Sequence, residues 1–307
     1  MSSCRACNSL ISEPAEFKSK NKDFSFSGWS YFRCTICKSL NILQRLSQSD
    51  LTEFHINFWK SREFSFNISN QDGSADISEF RSDLLTILND QKKVRNVLDF
   101  GSGDNAFVNE LGKLGFKVIG VDPRMYMADR DLHPNVVIVR GGAEELHSGH
   151  LANTFYQMDF TKFDCIFIND VLEHVVDPFQ LLVDLQKMLT PHGVLIGTVP
   201  CAESNQIKIL KGFSWISMAP FHQTLFTKIG LLTVLKRGGY QGIKIESSYK
   251  EWGWTRAAAY IFKVNIFHSY LRKKLKIFRI LDYALDLAFN KFLPKNSTRL
   301  HFSCYLK

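Results

Sequence analysis

The sequence predicts an α/β fold, a doubly wound and mostly parallel sheet preceded by a small cysteine-rich module. Three observations lead there. From Val94 onward, apolar and β-branched runs alternate with amphipathic helical stretches, as when parallel strands are joined through helices. One junction, residues 97–110, reads V-L-D-F-G-S-G-D-N-A-F-V-N-E, which is a strand, a tight glycine-bearing turn and a helix start. Ahead of it, two C-x-x-C pairs occupy the N-terminal region.

In chain order, residues 1–45 form the cysteine module. Cys4 and Cys7 are separated by 26 residues from Cys34 and Cys37, and each pair is followed two positions on by serine. Two such knuckles offer four thiolates at tetrahedral spacing, which suits a structural zinc ribbon with no open coordination position. Disulfide pairing is the alternative, disfavoured in a reducing cytoplasm. Phe24, Phe26, Trp29, Tyr31 and Phe32 between the pairs fit short ribbon strands. Cys165, Cys201 and Cys304 lie in apolar, strand-like contexts and read as inert core residues.

Residues 46–90 connect the ribbon to the main domain. The stretch 51–66 carries Phe54, His55, Phe58, Trp59, Phe64 and Phe66, either as a pocket wall or as packing between ribbon and core. A polar linker over 67–78 follows, and then Ile77, Phe80, Leu84, Leu85 and Leu88 recur at helical spacing.

Within 91–307, strands are expected near 94–99, 117–121, 135–139, 163–168, 193–199 and 240–246, with helices near 104–114, 179–189 and 225–238. The ligand crevice of such a sheet lies outside the carboxyl ends of its strands. There Gly101 and Gly103 allow a ligand to approach the main chain closely. The second strand ends in Asp122, about twenty residues on, where a carboxylate grips a ribose. Asn105 stands where a dinucleotide site would place a third glycine, so an adenosine-containing ligand other than a dinucleotide is expected, and Asp99 suits a positive charge on it.

Beyond Glu246 about fifty residues of helix-like pattern precede an alternating, strand-like stretch at 300–306. Within them Leu271, Leu275, Phe278, Leu281, Leu285, Ala288 and Phe292 keep helical spacing, while Arg272, Lys273, Lys274, Lys276 and Arg279 crowd the helix start. Such a helix either packs on its own domain with a solvated basic face or meets an anionic membrane surface or a phosphorylated substrate.

The formal net charge of +8 divides unevenly. Residues 1–45 contribute +4, residues 46–249 contribute −5, and residues 250–307 contribute +9. Basicity at the two ends, around an acidic centre, argues against a nucleic-acid-binding core. The N-terminus has polar residues and cysteines where an apolar signal would sit, and no uncharged run reaches membrane-spanning length, so a cytoplasmic protein is expected, with peripheral membrane contact only through the basic helix.

Asp99, Gly101 and Gly103, then Val121-Asp122-Pro123, then Gly142-Ala143-Glu144-Glu145-Leu146, then Phe163-Asp164-Cys165-Ile166 running into Asn169-Asp170-Val171-Leu172-Glu173-His174, resemble the ordered motifs of class I S-adenosylmethionine-dependent methyltransferases. The L-E-H-V-x-D-P run is similar to that of small-molecule members, including ubiquinone-pathway and sugar-modifying enzymes. The resemblance implies a Rossmann-like, seven-stranded methyltransferase sheet whose last strand returns antiparallel between the fifth and sixth, with 252–296 as a helical insertion before it. It implies S-adenosylmethionine held by Asp99, Phe100, Gly101, Gly103, Asp122, Pro123, Ala143, Glu144 and Asn169. The aromatic stretch after residue 51 would then be a flap over the methyl donor that lines the substrate pocket.

His174 and His222 are the candidate bases, because an imidazole has a suitable pKa for assisting hydroxyl or amine attack; each is otherwise a hydrogen-bonded structural histidine. The ribbon joined to this sheet resembles the sugar-methylating group and implies a small-molecule or glycan acceptor. The large C-terminal domain usual in sugar-carbon methylating members is not within these 307 residues, which leads to an expectation of oxygen or nitrogen methylation. RNA methylation and a non-catalytic binding module with a degenerate donor site are the other readings.

Overall fold

The computed structural model describes residues 2–11, 14–20, 28–44, 46–60, 94–124, 132–214, 216–248 and 298–306. The linker, the helix expected over 77–88 and the basic helical insertion lie outside the described residues.

Five short strands build the N-terminal module: β1 (Ser2–Ser3), β2 (Leu10–Ile11), β3 (Phe17–Lys18), β4 (Ser30–Arg33) and β5 (Leu40–Ile42). Helix α1 (Gln48–Lys60) follows. The main domain then runs β6 (Asn96–Phe100), α2 (Ala106–Lys113), β7 (Lys117–Asp122), β8 (Val136–Arg140), α3 (Ala143–His147), α4 (His150–Gln157), β9 (Phe163–Asn169), α5 (Pro178–Gln186), β10 (Leu189–Pro200), α6 (Asn205–Leu210), β11 (Thr224–Leu225), α7 (Lys228–Arg237), β12 (Tyr240–Ser248) and β13 (Arg299–Leu306).

Among the described residues, seven strands form the central sheet in the order β12-β13-β10-β9-β6-β7-β8. The pairs from β10 to β8 are parallel, and β13 runs antiparallel to both its neighbours. The last strand therefore inserts between the fifth and sixth, as the resemblance implied. Alternation along β6 decides its two faces: Val97 packs with Val108 and Leu111 of α2, while Leu98 and Phe100 join the cluster on the other side.

That second cluster crosses the boundary between ribbon and sheet. Cys4, Ala6, Ile11, Cys34 and Cys37 belong to the same apolar core as Leu98, Ile168, Leu185 and Phe226. The expected helix over 225–238 is corrected here. Thr227 caps its N-terminus through a side-chain bond from Gly230 N–H, so α7 starts at Lys228, and Thr224–Leu225 extend instead to pair antiparallel with β5. The main domain thus supplies the edge strand of the ribbon's four-stranded sheet, β11-β5-β4-β3.

Candidate functional site

Phe100, Gly101, Asp122, Pro123, Ala143, Asn169, His174 and His222 line a single cavity of about 670 Å³ at the carboxyl ends of the parallel strands. That volume is in the range of small-molecule sites. Asp99, Gly103 and Glu144 are not among its lining residues. Asp99 is buried in β6, where burial, then the neighbouring Asp122 and Asp104, push its carboxyl up to about 7.

At the donor end, Gly101 and Ser102 N–H both donate to Val121 O, folding the turn after β6 onto the end of β7. Gly101 takes φ +92°, and a Cβ there would stand 2.4 Å from Val171 Cγ2. Gly103 N–H donates to Asp122 Oδ2 at 3.0 Å. Arg124, with no sequence signal of its own, donates through Nε to Asp122 Oδ1 at 2.7 Å and through Nη2 to Oδ2 at 2.8 Å. Asn169 Oδ1 is buried with no partner among the described residues. A buried acceptor left unmatched is costly, so it marks a place where a ligand donor belongs.

At the other end three imidazoles meet. His55 of α1 lies edge-on to His174, and His174 to His222, each with ring centroids 4.8 Å apart; His55 also stacks on Phe221. His174 Nδ1 donates to Phe221 O at 3.0 Å and His222 Nδ1 to Ile216 O at 2.6 Å, so Nε2 carries the lone pair in both rings. Burial holds all three below the ordinary imidazole range, His222 at about 4 and His55 at about 3, with Arg124 and then His222 contributing for His55, and His222 and His55 for His174. They are therefore neutral at pH 7. Beside them Glu173 is wholly buried: neither carboxylate oxygen has a hydrogen-bond partner among the described residues, Oε1 lies 3.8 Å from His174 Nε2, and burial, then Asp170, raises its carboxyl well above the usual range. Asp170 pairs with Arg299 of β13 and accepts from Thr198 Oγ1.

His55 had a sequence signal, since it lies in the aromatic stretch. Within the described part of that stretch, Thr52 and His55 line the cavity and Phe54 packs on Phe221; Gln48, just before it, lines the cavity as well.

The four knuckle cysteines also converge. One ligand atom from each lies within 4.8 Å of the others, with Cys4–Cys37 and Cys7–Cys34 Sγ pairs at 3.5 Å. A tetrahedral zinc with bonds of about 2.3 Å places its sulfurs about 3.8 Å apart, so the donor set fits that ion. All seven cysteines are free, and Cys165, Cys201 and Cys304 are buried in the core.

Residues 72–259 match the family model described as a methyltransferase domain, which spans more than half of the chain. The chain belongs to the class I S-adenosylmethionine-dependent methyltransferases. Among curated relatives of this methyltransferase it is similar to the ubiquinone biosynthesis O-methyltransferase of Maricaulis maris, 26% identical over 47% of this chain and 58% of that one. The Bradyrhizobium diazoefficiens enzyme of the same name is 31% identical over 33% of this chain and 38% of its own length. The alignments thus span about half of those relatives or less. Among solved structures, the Burkholderia thailandensis 1,6-didemethyltoxoflavin-N1-methyltransferase shares the fold, with a TM-score of 0.50 at 13% identity over 92% of this chain and 98% of that one. Among the described residues no helix is long and apolar enough to cross a membrane.

Proposed function

We propose that this protein methylates an oxygen or nitrogen of a small-molecule acceptor at the expense of S-adenosylmethionine. One observation carries the reading: a single cavity joins the Gly101 turn, Asp122 and the unmatched Asn169 oxygen to two neutral imidazoles whose Nε2 lone pairs are uncommitted to the backbone. The curated relatives are O-methyltransferases, which favours a hydroxyl acceptor. Within that class, the joining of a ribbon to this sheet favours a saccharide or a nucleotide-linked sugar.

Bound S-adenosylmethionine supplies a methyl group already activated on a sulfonium, so the chain's work is alignment, exclusion of water and removal of one proton. Asp122 would hold the ribose hydroxyls once the Arg124 guanidinium yields an oxygen to them. Asn169 Oδ1, which has no hydrogen-bond partner among the described residues, would accept from the donor's ammonium. His222 or His174 takes the acceptor's proton at Nε2, the nitrogen left free by the bonds to Ile216 O and Phe221 O. A structural zinc in the knuckle holds the ribbon and takes no part in the transfer.

Calorimetry with S-adenosylmethionine tests the donor half, and the absence of binding overturns the reading. His174→Ala and His222→Ala are each expected to lower turnover at least tenfold with donor affinity changed less than twofold, measured as radiolabelled methyl transfer into a small-molecule extract. Unchanged turnover in both variants removes the base assignment. Comparing methylated metabolites and glycans with and without the gene identifies the acceptor.

A further inference from the structure

The cysteine knuckle reaches the acceptor side of the cavity through one side chain. Arg5 stands inside the first C-x-x-C turn, between Cys4 and Cys7, and its backbone N–H donates to Asn41 Oδ1 at 3.0 Å. Its guanidinium spends three donors on the main domain and the ribbon edge. Nε reaches Val176 O at 3.0 Å, Nη2 reaches Gln223 Oε1 at 3.2 Å, and Nη1 bonds Ile42 O. Val176 lies two residues beyond His174, and Gln223 directly follows His222.

Around this clamp further hydrogen bonds tie ribbon and main domain together from both sides. Gln223 and Thr224 N–H both donate to Glu173 O, so the His222 segment is tied to the Glu173-His174 turn. Ile42 N–H donates to Gln223 O, and Tyr31 OH of the ribbon donates to His222 O at 2.8 Å. Thr227 Oγ1 donates to Cys37 O, and Arg237 Nη1 to Ala6 O at 3.0 Å, so each knuckle is also gripped from the main domain. A planar, always-charged fork is suited to holding three acceptors at fixed angles, which a lysine ammonium cannot do.

We propose that Arg5 is a positioning residue through which the metal-held knuckle sets the placement of His222 and His174, leaving the donor seat at Gly101 and Asp122 independent of it. The inference rests on the proposed function for the meaning of the two histidines, yet its test needs neither an acceptor nor turnover. Facing His222 are His55 and His174, Glu173, Asp170 and Arg299, and none of these is altered in the variants.

The test follows the His222 and His174 ring proton signals by NMR across pH 5–8, where the thiolates keep their zinc, in the zinc-loaded full chain, with S-adenosylmethionine affinity and zinc content measured on the same samples. In Arg5→Ala the two rings are expected to loosen and gain solvent, moving the His222 titration midpoint upward by at least one pH unit, while donor affinity stays within twofold and zinc content stays unchanged. Arg5→Lys should give an intermediate midpoint, and guanidinium ion at millimolar concentration should restore the wild-type titration in Arg5→Ala. Wild-type titrations in both variants overturn the proposal, as does a donor affinity that falls in step with the ring shifts. If Arg5→Ala does not fold, Arg5→Lys carries the same comparison. A wild-type protein that binds no S-adenosylmethionine defeats the proposed function instead and leaves the ring comparison readable.

Discussion

Stripping the metal from the Cys4, Cys7, Cys34 and Cys37 knuckle is expected to release the ribbon sheet and β11 together while the central sheet stays folded. The donor set implies one zinc per chain, which elemental analysis of the purified protein checks; no tightly held metal would overturn the assignment. Zinc binding by comparable sites is worth about 10–16 kcal/mol in isolated peptides, where it is the whole of folding. Here the ribbon shares one face of the sheet's core, but the opposite cluster around Val97, Val108, Leu111 and Ile196 contains no ribbon residue, so the sheet keeps a core of its own when the ribbon is released. Cys34→Ser should lower the melting temperature by roughly 10 °C, equivalent to about 4 kcal/mol in a domain of this size. Hydrogen exchange locates the loss: amides of Tyr31 to Ile42 and Gln223 to Thr227 should exchange faster, and those of Val97 to Val121 should not. The coupling follows from pairing, because Thr224 and Leu225 stand opposite Asn41 and Leu40. Loosening of the central strands in the same experiment would show that ribbon and sheet melt as one unit.

That pairing also marks where the sequence stops being readable. Strands such as β6, β9 and β10 declare themselves because each carries a buried apolar run, Val97-Leu98, Cys165 to Ile168 and Val194 to Ile196, a local signal. The Gly101 turn and Asp122 were legible for the same reason, since a fixed spacing along one βαβ unit expresses the geometry. Thr224–Leu225 is different. Its partner lies more than 180 residues away, and the helical pattern that follows it extends plausibly backward over both residues. Only the Thr227 cap shows where the helix must begin, and a threonine there is a weak mark when read alone.

The cavity divides along the same line. His174 and His222 could be named as separate candidates, but a third imidazole from α1 stacking on Phe221 is a tertiary fact with no spacing to betray it. Arg124 saturating Asp122 and Arg5 bridging Val176 to Gln223 are further cases, since an arginine's partners depend on where other elements place their carbonyls. Glu173 was quoted within a motif, yet nothing local distinguishes a buried, unmatched carboxyl from a solvated one. Asp99, expected beside the donor's charge, sits behind the cavity wall in β6, where it is 3% exposed.

Gly101→Ala is expected to weaken S-adenosylmethionine binding at least tenfold and to destabilise the fold by about 2 kcal/mol, and a second glycine separates the causes. Gly101 and Gly115 share nearly the same positive φ, +92° and +94°, a region that alanine adopts only at a cost of about 1–3 kcal/mol at either position. Their surroundings differ. Nothing lies within 4 Å of a Cβ on Gly115, whereas one on Gly101 would stand 2.4 Å from Val171 Cγ2, well inside van der Waals contact. Val171 lines the same cavity and lies between Asp170 and the Glu173-His174 turn, so its retreat would disturb the cavity wall beside Asn169. Gly115→Ala should therefore show only the stability loss, with donor affinity within twofold of wild type. Calorimetry on both variants, with melting curves alongside, reads the difference. Equal losses of affinity would assign the effect to general loosening. A Gly101→Ala protein that binds the donor normally would mean that the turn after β6 is not where the ligand approaches the main chain, and the placement of S-adenosylmethionine would have to move.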